Sequence, residues 1–485
     1  MIALDRRTHV PLQRQVYAAI RSAILEGRLP PGTRLPASRT LADDLGVSRT
    51  TVVLAYAHLE TEGFIAGRGS AGSFVSILAL EKSEPRTVTR PPRDAEIDRL
   101  TREAKNVLRS AAGTYRVRPA PVPFRAGEPA LDLFPARLWA RIYARRARRS
   151  GAALLGYGSE HGHRPLRAAI AAYVGAARGV TATADQVILV RGTQQGIHLA
   201  SRALLRAGDV AWVEDPGYPM ARALLGTAGA AIAPIPVDAE GLIVAEGVRR
   251  VPGARAAIVS PSHHFPLGAT MSLQRRLALL DWAGNTGAWV LEDDYDSEFR
   301  YVGAPIPSLQ GLDTNDRVIY LGTFSKTVFP ALRLGYVIVP PALVDLFRAT
   351  QSLTDYVAPS VEQATLAEFI DDGHFTRHVR QMRSAYAERQ DALLRGITRE
   401  LDDLVEARPV ETGMHLVAWL RDRRADEVRT SHLARDAGVE AGPLSIYRVE
   451  ARLSPGLLLG FAPVRPSEMG PALRTLRQAI VAAGR

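Results

Sequence analysis

Apolar residues recur at every fourth position at Leu12, Val16, Ile20 and Ile24, which predicts one helix with a single buried stripe over residues 12–25. Gly27 and Pro30-Pro31-Gly32 stop it. Ser38 is expected to cap a second short helix through Leu45. Gly46-Val47 then make a tight turn, and Ser48 caps a third helix to about Glu62. After Gly63 the segment 64–75 alternates, turns on glycines and alternates again, the pattern of a β-hairpin. From residue 76 to 120 the pattern fades. Pro85, Pro91, Pro92 and Pro119 interrupt an Arg-rich polar stretch that reads as a linker with a short helix from Asp94 to Ser110. Further on, the apolar runs 187–190, 256–259, 288–291 and 318–321 read as buried strands separated by Ala- and Leu-rich helical stretches. That is an α/β domain with a mainly parallel sheet. The expected division is a small N-terminal domain over 1–77, a linker over 78–120 and a large domain over 121–485.

Composition narrows the class. A chain of 485 residues exceeds one ordinary core, and 46% hydrophobic with 23% charged residues is the balance of a soluble globular protein. No apolar run approaches a membrane span, and Met1 to Arg6 lack the apolar stretch of a signal peptide. With no cysteine there is no disulfide, thiolate metal site or Cys nucleophile; a cytoplasmic protein without a metal centre is expected. The net charge of +11 is uneven: residues 1–75 carry +3, residues 76–150 carry +9 and the remainder −1. The basic excess belongs to the N-terminal part and linker, as expected if that part meets a polyanion. Trp139, Ile142 and Tyr143 in the Arg-rich segment 137–149 are read as anchors of a helix at the edge of the large domain.

Two short helices joined by a glycine turn form a helix-turn-helix, whose second helix enters the major groove with its N-terminal residues forward. Those residues are Ser48, Arg49, Thr50 and Thr51: a guanidinium able to read guanine, and three hydroxyls suited to phosphates or base edges. The phrases Leu35-Pro36-Ala37-Ser38-Arg39, Leu45-Gly46-Val47-Ser48-Arg49-Thr50-Thr51 and Arg68-Gly69-Ser70 resemble the GntR superfamily of winged-helix repressors. The resemblance implies contacts with double-stranded operator DNA from Arg39, Arg49, Thr50, Thr51 and the wing at Arg68, Gly69 and Ser70.

The chain has only three lysines, Lys82, Lys105 and Lys326, so the last 380 residues keep just one. Arginine replaces lysine on most surfaces, but a Schiff base needs a deprotonatable primary amine. Lys326 lies in Gly322-Thr323-Phe324-Ser325-Lys326-Thr327, after the fourth apolar run. Ligands sit at strand C-terminal ends in such sheets. The first run is followed by Arg191-Gly192-Thr193-Gln194-Gln195-Gly196, suited to a phosphate at a helix start, and the third by Glu292-Asp293-Asp294-Tyr295-Asp296. Pyridoxal phosphate requires a lysine, a carboxylate for its pyridine nitrogen and phosphate anchors. On an extended segment residues i and i+2 share a face. Asp293, preferred over Asp294, can therefore meet the pyridine nitrogen while Tyr295 meets the ring hydroxyl; Arg333 can hold the phosphate bidentately.

Asp215-Pro216-Gly217-Tyr218-Pro219, residues 292–300, the Lys326 phrase and Arg333-Leu334-Gly335 resemble the PLP-dependent aspartate-aminotransferase fold, fold type I. The resemblance implies that Tyr218 stacks on the cofactor ring and that Thr193, Gln194, Thr323, Ser325 and Arg333 hold the phosphate. It also implies a contribution from Tyr157 across a subunit interface. A GntR-like reader joined to such a domain resembles the MocR/GabR-type regulators, which implies a PLP-dependent homodimeric transcription regulator sensing PLP or an amine-like small-molecule effector. The alternative is an active aminotransferase with an appended DNA-binding domain. Two departures bear on it. Phe265 stands where aminotransferases place the Asn that contacts the ring hydroxyl; beside it His263 or His264 could take a polar role, but both are read as surface residues. Leu458 stands where they place the substrate-carboxylate arginine, leaving Arg448 or Arg452 as substitutes.

Overall fold

The computed structural model describes residues 4–6, 8, 10–76, 122–149, 151, 161–303, 306–354 and 359–484. The expected linker with its short helix, and Tyr157, lie outside them. The chain divides into two compact units, each with its own core.

In the first unit α1 spans Leu12–Leu25, α2 Ser38–Leu45 and α3 Arg49–Thr61, followed by β1 (Ile65–Gly67) and β2 (Ser73–Val75). The predicted stripe is realised at Val16, Ile20 and Ile24, which pack with Leu41, Val52, Tyr56, Leu59 and Ile65. Truncating any of these to alanine removes about 2–5 kcal/mol. Gly46 ends α2 in the left-handed region (φ 62°), which glycine adopts without strain and which turns the chain into α3. The wing is the antiparallel pair β1–β2 closed by a short turn at Gly69–Ala71.

In the second unit eight strands form one sheet: β3 (Val187–Val190), β4 (Val210–Asp215), β5 (Ala231–Asp238), β6 (Gly241–Leu242), β7 (Ala256–Val259), β8 (Trp289–Asp294), β9 (Val318–Thr323) and β10 (Gly335–Ile338), in the order β3-β10-β9-β8-β7-β4-β5-β6. The run from β9 to β5 is parallel, whereas β10 is antiparallel to both neighbours and β6 to β5. β3, β7 and β9 are buried along their whole length, as continuous apolar runs require when both faces are covered. Beneath one face Trp212 and Trp282 stack with ring centroids 3.8 Å apart. A second, antiparallel sheet has the order β11-β12-β14-β13, formed by β11 (Val405–Ala407), β12 (His415–Leu420), β13 (Gly442–Pro443) and β14 (Gly456–Gly460). In the helix Ala136–Arg149, Ile142 is buried and Trp139 sets its ring against Phe329 and Phe369, so this segment does anchor the large unit.

Candidate cofactor pocket and DNA-reading surface

On the first unit Ser48 caps α3, its hydroxyl accepting the Thr51 N–H at 3.2 Å, so Arg49 and Thr50 project exposed from the first turn. Ser38 does not cap α2: Ala37 is the capping position, and the Ser38 hydroxyl instead accepts from Arg49 Nε at 3.5 Å. Helix formation begins one residue earlier than predicted because Leu41 N–H reaches the Ala37 carbonyl. Arg39 is exposed in α2, and Arg68 lies over the Phe74 ring at 5.1 Å beside the Gly69 turn.

In the second unit the polar phrases meet at one sheet edge, where β3, β4, β7, β8 and β9 end. Gly335 allows a close approach: a Cβ there would lie 2.8 Å from the Gly322 carbonyl oxygen and 2.9 Å from Gly192 Cα. Only glycine permits this, and it brings the start of the helix Thr193–Leu204 beside the loop carrying Thr323, Ser325 and Lys326. The Thr323 hydroxyl accepts the Ser325 N–H at 3.1 Å. Gln194 Nε2 donates to the Tyr218 hydroxyl at 2.9 Å. Arg333 is exposed and adopts φ 51°, uncommon for a non-glycine residue.

Lys326 Nζ donates to the Gly127 carbonyl at 2.7 Å, and burial lowers the amine's pKa against the pull of Asp296 and Asp293. Three consecutive carboxyls on β8 have different fates. Glu292 turns away and accepts the Leu309 and Gln310 N–H groups at 2.9 Å each, and burial raises it to about 7. Asp294 binds Arg178 Nε at 2.9 Å and the Tyr320 hydroxyl at 2.6 Å; against the cost of burial, Arg178 holds it below the ordinary range. Asp293 lies between them with a buried Oδ1 that has no hydrogen-bond partner; burial and the charges of Asp294 and Asp296 raise it to about 7.

The histidines correct the surface reading. His263 and His264 are each 1% exposed, because the loop after β7 folds inward instead of outward. His264 Nε2 donates to the Pro216 carbonyl at 2.9 Å. His263 Nδ1 lies 3.0 Å from the Tyr295 hydroxyl and 2.9 Å from the Asp296 carboxylate, and burial pushes both histidines down to about 3, leaving them neutral. His415 from β12 completes the buried cluster, its ring 4.8 Å from His263. Sequence reasoning missed Asp296, His415 and Gly127. Asp296 lay in view, one residue beyond Tyr295, whereas the other two come from distant segments.

The fold and site define a DNA-reading module joined to an aminotransferase-like domain. Residues 121–458 match the family of aminotransferase class I and II, and residues 12–75 that of bacterial regulatory proteins of the gntR family. The probable rhizopine catabolism regulatory protein MocR of Rhizobium meliloti is 40% identical over 482 residues, spanning 99% of this chain and 96% of that one. The HTH-type pyridoxine biosynthesis transcriptional regulator PdxR of Corynebacterium glutamicum is 31% identical, spanning 95% and 94%. Among solved structures, LysN, the α-aminoadipate aminotransferase of Thermus thermophilus, superposes with a TM-score of 0.70 at 26% identity over 80% of this chain and 98% of that one. This chain belongs to the MocR-type transcriptional regulators, with an aminotransferase class I and II domain behind a gntR-family reader. That domain implies pyridoxal 5′-phosphate as its cofactor. Among the described residues no helix is long and apolar enough to cross a membrane.

Proposed function

We propose that residues 1–77 read operator DNA, that 78–120 link, and that 121–485 bind pyridoxal phosphate and a small-molecule effector whose arrival alters the arrangement of two readers in a cytoplasmic homodimer. The observation that carries the cofactor assignment is the orphaned Oδ1 of Asp293. A buried acceptor without a donor costs about 1–3 kcal/mol. A protonated pyridine nitrogen satisfies it, while Asp294 is already consumed by Arg178. Lys326, Asp293 and Tyr295 stand at one sheet edge beside a helix N-terminus, so the residues fit the group. Bound there, pyridoxal phosphate supplies an aldehyde that reacts with primary amines.

Around it Lys326 offers an amine kept readily deprotonated by burial. Tyr218 would flank the ring, and Tyr295, its hydroxyl 3.0 Å from His263 Nδ1, would meet the ring hydroxyl. Thr193 and Gln194 at the helix start, with Thr323, Ser325 and Arg333, hold the phosphate. A contribution from Tyr157 across the subunit interface belongs to the same proposal. On the reader Arg39, Ser48, Arg49, Thr50 and Thr51 meet the major groove and its flanking phosphates, and Arg68, Gly69 and Ser70 the wing contacts. The test is borohydride reduction of purified yellow protein followed by peptide mapping. The adduct is expected on Lys326; one on Lys82 or Lys105 overturns the assignment, and a colourless protein overturns the cofactor reading.

A further inference from the structure

We infer that the effector is a primary amine without a carboxylate, its carbon body resting on an apolar wall backed by Leu458. This deepens the reading above and rests on it.

Leu458 on β14 faces Val417 of β12 and Gly442 of β13, is 1% exposed, and packs with Leu444, Tyr447, Ala126, Phe265 and Trp419. The wall stands beside the reactive amine because the segment 122–127 runs along β14. Phe124 bridges Gly460, whose N–H donates to the Phe124 carbonyl at 2.8 Å; Ala126 then joins the cluster and Gly127 receives Lys326 Nζ. The Phe265 ring lies 5.1 Å from Tyr447, 5.3 Å from His415, 6.0 Å from Tyr218 and 6.3 Å from Tyr295. Ala126, Tyr218, Phe265 and Tyr295 are half-buried, so carbon and phenol surfaces are what a ligand meets.

Among the described residues, the buried cations of this unit are already engaged. The Arg125 guanidinium binds Glu440 and Glu128, Arg178 binds Asp294, and Arg389 binds Asp132. Arg276 donates to the carbonyls of Met271, Pro261 and Pro307, Arg167 to the Ala184 carbonyl beside Asp185, and the half-buried Arg222 to the carbonyls of Tyr447 and Ile446. Burial keeps His263, His264 and His415 neutral. The substitutes Arg448 and Arg452 are exposed on a segment whose neighbouring amides, those of Val449, Glu450 and Ala451, are tied to Asp215. Meanwhile Asp293, Asp296 and Glu214 already crowd this interior with carboxyls. A further carboxylate would be desolvated, unpaired and repelled.

The test is an absorbance titration of the cofactor-loaded protein with matched pairs: 2-phenylethylamine against phenylalanine, and isobutylamine against valine. The amine should shift the spectrum at least tenfold below the concentration its amino acid needs. Leu458→Arg should narrow or reverse that ratio, and Leu458→Met, which keeps the packing, should preserve it. Amino acids acting at equal or lower concentration, or no shift with any pair, overturns the inference. Absence of colour before any ligand is added instead sinks the cofactor reading. If Leu458→Arg fails to fold, the wild-type ratios decide alone.

Discussion

The reading helix and the cofactor pocket use polar side chains in opposite ways. Ser48, Arg49 and Thr50 stand exposed on the first turn of α3, and their positions follow from one local cap. In the pocket, by contrast, Asp293 and Asp294 are adjacent, chemically identical and both 6% exposed, yet only one keeps a free oxygen. The difference comes from Arg178, 116 residues away in sequence, which occupies Asp294. On a surface, local sequence decides what a side chain offers; in an interior, the neighbours decide what it has left.

The largest break of this contrast is Lys326→Ala, which should abolish colour and borohydride-trapped cofactor while Lys82→Ala and Lys105→Ala keep both; a trapped adduct in the variant would remove Lys326 from the pocket chemistry. Next comes the carboxyl pair. Asp294→Ala strands the buried Arg178 charge and should cost about 3–5 kcal/mol in urea unfolding. Asp293→Ala should cost less than about 2 kcal/mol and show itself as weak cofactor retention. Equal stability losses would erase the distinction between the two.

The third test is pH. In the cofactor-free fold burial raises Asp293 to about 7, against about 4 in an unfolded chain. The folded state therefore holds this proton more tightly, and the stability it confers is lost as pH rises through about 7. Cofactor-free wild type should lose about 2–3 kcal/mol relative to Asp293→Asn between about pH 5 and pH 8. Parallel denaturation curves at the two pH values would contradict this. On the reader, Arg49→Ala should cost about 1–3 kcal/mol on operator DNA and little on random DNA. Equal losses on both would take Arg49 out of the groove. Smallest, Ser48→Ala should remove about 1 kcal/mol of stability from the reader alone, seen in its own melting curve.

Much of the architecture was legible because it rests on period and punctuation. The stripe of α1, the Ser48 cap, the wing and the fully buried β3, β7 and β9 all follow from spacing within a few residues. The alternation that separates Asp293 from its neighbours is also local, since it needs only an extended backbone. What stayed hidden depends on distant segments meeting. Nothing near His263 announces that its loop turns inward to Asp296 and His415, or that residue 127 supplies the carbonyl for Lys326. Ser38 misled for a smaller reason: a serine at a helix start serves equally as cap or as first helical residue, and the Ala37 carbonyl decided it.

The stacked pair Trp212 and Trp282 has an optical consequence. All five tryptophans, at positions 139, 212, 282, 289 and 419, belong to the large unit, and residues 1–76 contain none. Indole emission therefore originates in the large unit, in which a 3.8 Å stack couples two chromophores. Separating the stacked pair changes that signal. DNA binding then follows the reader, so the two halves of the chain can be watched in one sample without a label.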